Sequence, residues 1–253
     1  MLTSLRTLAL AAFCLPLVLA AADANPAPAA KPIQGAWRAI DGDTERVMLV
    51  VDGYWTYTIF DRSTPAFHQT FGGPYREQGD AVMAAYDFNS NDASQVGGKF
   101  TAQVTVSGDI LTVFQEDGSA ESWRRIDDAT SGLSGVWRIT GRKADGDVRS
   151  MPLRARRTYK VMTGTRFQWV AINIETGEFS GTGGGTYTYQ DGKYVENIEF
   201  FSRDNSRVGA KLQFEAEVKD GQWHHQGLSS RGEPIYEIWS KLSPDEGREN
   251  LQR

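Results

Sequence analysis

The chain has 253 residues, 27 Lys and Arg against 32 Asp and Glu, a net charge of −5 and a single cysteine. A balance of that sign lacks the basic footprint of a nucleic-acid binder. One cysteine excludes an internal disulfide framework and a Cys-rich zinc site.

In chain order, Arg6 precedes an apolar stretch from Leu8 to Leu19, and the small residues Ala20, Ala21, Ala22, Asp23 and Ala24 follow. Basic start, short apolar centre and Ala-x-Ala exit make a secretory signal over residues 1–24, with cleavage expected after Ala22 or Ala24. The centre falls short of the roughly 20 apolar residues that cross a bilayer. No second apolar run follows, so the mature chain is expected to carry no integral span. The product is expected to be periplasmic or extracellular. Cys14 lies inside the signal with Phe13 before it, which argues against lipidation and leaves a mature chain without cysteine. Residues 25–32, rich in Pro and Ala, read as a linker.

Beyond Ile33 the chain repeats itself. Gly35-Ala36-Trp37-Arg38 returns as Gly135-Val136-Trp137-Arg138, 100 positions on. Gly73-Pro74-Tyr75 returns as Gly185-Thr186-Tyr187, and Val96–Phe100 as Val208–Leu212, both 112 on. Ser122–Ile126 corresponds to Ile238–Leu242, 116 on. The growing offset places insertions mostly around Lys143–Arg157. Two β domains are therefore expected, over 33–127 and 132–242, with a short tail at 243–253.

The local pattern is that of strands. In Lys211–Val218, Leu212, Phe214, Ala216 and Val218 share one face, while Lys211, Gln213, Glu215 and Glu217 share the other. Asp52-Gly53, Asp191-Gly192 and Asp220-Gly221 supply the positive φ of tight hairpin turns. About eight strands fit in each copy. The expected fold class is all-β, two tandem antiparallel up-and-down barrels; one larger β-sandwich is the alternative. Trp37, Trp137, Trp123 and Trp239 are framework residues. The Gly-rich run Ser180–Tyr187 lacks the Lys and helix of a phosphate loop and reads as a strand that bends sharply. Ser243-Pro244-Asp245-Glu246 reads as a capping box opening one short turn, with the rest of the tail frayed.

Phe167-Gln168-Trp169-Val170, Gly183–Tyr187, Tyr194–Phe200, Trp223–Gly227 and Pro234–Trp239 resemble the lipocalin-like (calycin-type) domains of uncharacterised function found in secreted bacterial proteins. The resemblance covers most of the second copy and about half of the first. It implies a barrel that holds small apolar ligands, and no activity.

Candidate chemistry concentrates in the second copy. On the strand Lys193–Phe201, Tyr194, Glu196, Ile198 and Phe200 share a face. If that face is interior, Glu196 points into an aromatic-walled barrel and needs a partner, a proton or a ligand. His225 shares a face with Trp223, and His224 points away, so the adjacent pair cannot readily share a metal ion. Trp169 and Tyr187 complete the expected wall. Aligning Tyr194–Asn197 with Met83–Tyr86 sets Ala85 opposite Glu196, and Trp223–His225 falls opposite Leu111–Phe114. The expected site, a small apolar ligand in the second barrel, thus comprises Trp169, Tyr187, Tyr194, Glu196, Trp223 and His225. No catalytic constellation, metal site or cofactor is expected. Two other readings are an envelope-structural or interaction module with filled barrels, and an enzyme using Glu196 and His225 as acid and base. The cluster Arg154, Arg156, Arg157 and Lys160 reads as a solvated basic face.

Overall fold

The computed structural model describes residues 32–115, 117–144, 146–243, 246 and 249–252. The expected signal, Cys14 and all of the linker but Pro32 lie outside them.

The first copy comprises β1 (Gly35–Asp41), β2 (Thr44–Val51), β3 (Tyr54–Asp61), β4 (Ala66–Gln78), β5 (Ala81–Ala85), the two-residue β6 (Phe88–Asn89), β7 (Lys99–Ser107), β8 (Ile110–Phe114) and β9 (Ala120–Asp127). The second comprises β10 (Gly135–Ala144), β11 (Asp147–Ser150), β12 (Arg156–Met162), β13 (Arg166–Asn173), β14 (Phe179–Gln190), β15 (Lys193–Phe201), β16 (Lys211–Lys219), β17 (Gln222–Leu228) and β18 (Pro234–Lys241). All pairings are antiparallel. One sheet closes through β3–β4 and the other through β10–β18, giving two closed 8-stranded barrels. β6 and β11 are appendages to β4 and β10. Closure removes the long unpaired edges that an open meander would expose.

The duplicated Gly-x-Trp has a local cause. Gly35 and Gly135 sit at φ 136° and 134°, where a side chain is strained. A Cβ on Gly35 would stand 2.2 Å from the Asp127 carbonyl oxygen. The chain thereby turns so that the Trp37 and Trp137 indoles donate to the carbonyls of Ile33 and Leu133, both at 2.8 Å. Arg125 stacks over Trp37, and Lys241 lies over Trp137, closing each barrel floor with a cation.

The two Asp-Gly turns at 52–53 and 191–192 carry positive φ at both residues, as does 220–221. β14 runs unbroken through the glycine run with a register shift at Gly184/Gly185. A Cβ on Gly184 would meet the Phe167 carbonyl oxygen at 2.5 Å.

Between the barrels the strands are buried on both faces. Val47, Leu49, Tyr54 and Phe60 of the first copy join Tyr159, Val161, Val170 and Ile172 of the second in one core. A polar seam crosses it. The Gln168 amide donates to Thr70 Oγ1 (2.9 Å) and Thr182 Oγ1 (3.0 Å) and accepts from Thr58 Oγ1 (3.2 Å). Arg166 bonds Glu199 and reaches Glu45 at 3.4 Å.

The described residues of the tail are structured where fraying is expected. Ser243 and Glu246 make the reciprocal capping bonds. The short helix α1 (Glu249–Gln252) buries Asn250 and Leu251. Asn250 Nδ2 donates to Asp87 Oδ1 at 2.7 Å. Asp87 is a buried carboxylate of the first copy, also bonded by the Tyr54 hydroxyl, so the tail supplies a donor where desolvation demands one.

Candidate functional site

Strand alternation turns Glu196, Tyr194, Trp223, His225 and Tyr187 into the second barrel, where all are buried. Trp169 is half-buried, edge-on to Phe201. The structure thus brings Tyr194, Glu196, Trp223 and His225 together. Tyr187 packs its ring 5.7 Å from that of Tyr194, with its hydroxyl committed to the Thr163 carbonyl (2.6 Å) and Ser131.

The partner that Glu196 requires is Lys160, its Nζ 2.7 Å from Oε1; the Tyr194 hydroxyl donates to the same oxygen at 2.9 Å. Lys160 is therefore no solvated residue. It is buried on β12, as is Arg157, and only Arg154 and Arg156 of the basic cluster are exposed. The Lys160 ammonium lies 5.0–5.8 Å from the ring centres of Tyr194, Phe214, Trp223 and Trp239. Four aromatic faces replace part of the hydration that it lost.

His225 bonds a different acid. Its Nε2 is 2.9 Å from Glu237 Oε2, and Arg142 holds the other oxygen at 2.5 Å. Burial, then the nearby Lys160 charge, lowers the His225 pKa and keeps the ring neutral. Burial raises the Glu237 carboxyl, but the His225 hydrogen bond and charge, with the Lys160 and Arg142 charges, outweigh it, bringing it down to about 2. Burial and the Glu196 charge lift the Tyr194 phenol well above its usual value. Two cations and two carboxylates therefore balance around a neutral histidine. Glu196 and His225 each answer to another residue, which is not the arrangement of an acid–base pair. His224 faces the other way and meets the Tyr236 hydroxyl. Among the described residues no three His, Cys, Asp or Glu side chains converge as a metal site.

The first barrel differs. It contains a cavity of about 690 Å³, lined by the aromatic Trp55, Tyr57, Phe71, Tyr86 and Phe100 and by the aliphatic Met48, Val50, Val104, Leu111 and Val113. Tyr57 and Phe71 stack at 4.6 Å, and Trp55 meets Phe71, Tyr86 and Phe100 edge-on. The cavity reaches the surface beside the β8–β9 turn, where the lining residues Phe114, Gln115 and Asp117 are exposed.

The pairing registers show which side chains stand at equivalent places in the two barrels. Trp37 lies opposite Met48, and Trp137 opposite Lys160. Tyr75 lies opposite Ala84, and Tyr187 opposite Glu196. Val106–Leu111 and Val104–Val113 correspond to Val218–Trp223 and Ala216–His225. Met48, Ala84, Ala102, Leu111 and Val113 of the first barrel thus become Lys160, Glu196, Phe214, Trp223 and His225 in the second. Larger side chains and an ion pair take up the axis there.

One expectation is corrected by this. The counterpart of Glu196 is Ala84, not Ala85, because the registers keep the 112-residue offset through these strands. A cavity is described in the first barrel, while in the second Glu196 bonds Lys160 and His225 bonds Glu237. Sequence reasoning missed Lys160, hidden within an arginine cluster, and Glu237, which alternation along Pro234–Lys241 could have set beside His225. It also passed over the small residues Ala84 and Ala102, whose lack of bulk is the signal.

Residues 132–248 match the domain of unknown function DUF4488, a stretch that takes in the second barrel and the Ser243–Glu246 capping pair. No curated protein matches the chain.

Proposed function

We propose that the protein is an exported, lipocalin-like binding module that takes a small, largely apolar molecule into its first barrel. The observation that carries this reading is the aromatic-lined cavity of about 690 Å³, within the range of small-molecule sites. The second barrel serves as a rigid support, its interior occupied by the Lys160–Glu196 pair and the surrounding rings. The signal-like arrangement of residues 1–24 supports export.

Titration of the purified protein with an uncharged apolar probe, followed by tryptophan emission, tests the binding. Trp55 and Trp123 both line the cavity, so saturable quenching is expected. Ala102→Phe, which puts the second barrel's residue into the first, should abolish it while the fold is retained. Equal binding by wild type and variant would place the probe elsewhere and refute the reading. Export is tested by the mass of the protein recovered outside the cytoplasm, with a start at Asp23 or Asn25 expected.

A further inference from the structure

We propose that this cavity discriminates by charge, accepting an apolar molecule whose polar end is neutral or cationic and rejecting apolar anions. The inference rests on the reading that the first barrel binds in its cavity.

The described lining residues include Asp117 and Glu121 but no Lys, Arg or His. Both acids lie at the open end with Thr101 and Gln115, since β7 begins there and β8 and β9 meet there. Glu121 is paired with Arg46 at 2.6 Å, which leaves Asp117 as net negative charge at the mouth. Asp117 accepts from the Ser119 amide (2.8 Å) and hydroxyl (2.6 Å), both neutral donors. Lys99 starts β7 on the outward side of the alternation, exposed. At the floor Arg125 lies beyond Trp37, its guanidinium donating to the Gln34 and Pro32 carbonyls.

Either orientation therefore disfavours an anion. Inserted first, a carboxylate would be buried among rings and aliphatic side chains, where the nearby Arg46 guanidinium is already engaged by Glu121 and the Tyr57 hydroxyl. Left at the mouth, it would face Asp117. A cationic end gains at both places, from the carboxylate outside and from aromatic faces inside. The second barrel is an internal precedent, with an ammonium, that of Lys160, set among aromatic rings.

The test uses dodecanol, dodecyltrimethylammonium and dodecanoate, each below its micellar concentration at one ionic strength, with tryptophan emission as readout. Dodecanol and the ammonium should bind, the ammonium about tenfold or more tightly than dodecanoate, the effect expected of about one unit charge at a partly wet site. The ratio should shrink in high salt and in Asp117→Asn. Dodecanoate binding as tightly as dodecanol, with Ala102→Phe abolishing both, would overturn the charge rule and leave the binding reading standing. Failure of all three probes, or their indifference to Ala102→Phe, would overturn the binding reading and this inference with it.

Discussion

Replacing Lys160 by Met sets the first barrel's residue into the second. The Glu196 carboxylate would then be buried with only the Tyr194 hydroxyl for company. Removing one partner of a buried ion pair costs about 3–5 kcal/mol, because the other charge is left uncompensated. The double variant Lys160→Met/Glu196→Ala removes both charges. Its cost is the truncated volume, on the order of 50 Å³ at about 24 cal/mol per Å³, or about 1 kcal/mol. Loss of the Tyr194 acceptor adds about 1–2 kcal/mol. The double variant should therefore be more stable than the single one. Because the barrels share a core, urea unfolding followed by tryptophan emission should show one transition with a lowered midpoint and an unchanged slope. The melting temperature of Lys160→Met should drop by roughly 10 °C. A loss below about 1 kcal/mol, or a double variant no more stable than the single, would refute the account of Lys160 as the counter-charge of Glu196.

Three further outcomes follow from the geometry. His225 and Glu237 both have lowered folded-state pKa values, so the unfolded chain binds more protons and stability falls toward acid. The histidine contribution is lost below about pH 6.5. The Glu237 contribution, about 3 kcal/mol, is lost between about pH 4.5 and 2. Glu45, raised by burial and only partly offset by Arg166, works in the opposite sense, so the Glu237→Gln difference isolates the Glu237 part. A Glu237→Gln chain that lost as much stability as wild type between pH 4.5 and 2 would contradict this. Gly185→Ala should cost more than about 3 kcal/mol in chemical denaturation, because φ is 155° and the new Cβ would stand 2.1 Å from the Asn197 carbonyl oxygen. Wild-type stability there would mean that β14 shifts freely. Asn250→Ala removes a hydrogen bond to the buried Asp87; about 1–2 kcal/mol and faster proteolysis of the tail are expected, and an unchanged cleavage rate would show that this contact does not hold α1 down.

Much of the fold was legible because alternation and turn chemistry are local. Glu215 and Glu217 alternate with Phe214 and Ala216 along β16, and the burial follows that pattern. Val218 escapes it, exposed near the strand end, since alternation gives a direction without saying how far a barrel extends. The site was legible only in half. Period two correctly pointed Glu196 and His225 inward, but their partners Lys160 and Glu237 lie 36 and 12 positions away. Distances of that kind are set by register around a closed barrel, not by neighbouring sequence.

The amino-acid pattern alone determined the strands, their turns, the duplication and the glycine–tryptophan pairs that start each barrel floor. Those features depend on backbone conformation and on side chains a few positions apart. Tertiary structure decided which interior is open. Ala84 and Ala102 present only methyl groups to the cavity that they line in the first barrel. The equivalent positions in the second barrel carry Glu196 and Phe214, which meet Lys160 on the axis. It also decided that the two barrels cover one another along these strands, because Val47, Leu49 and Phe60 join Tyr159, Val161 and Ile172 in one core. A sum of side-chain volumes around a closed ring, and the fit of two outer faces, exist only once the chain has closed both barrels.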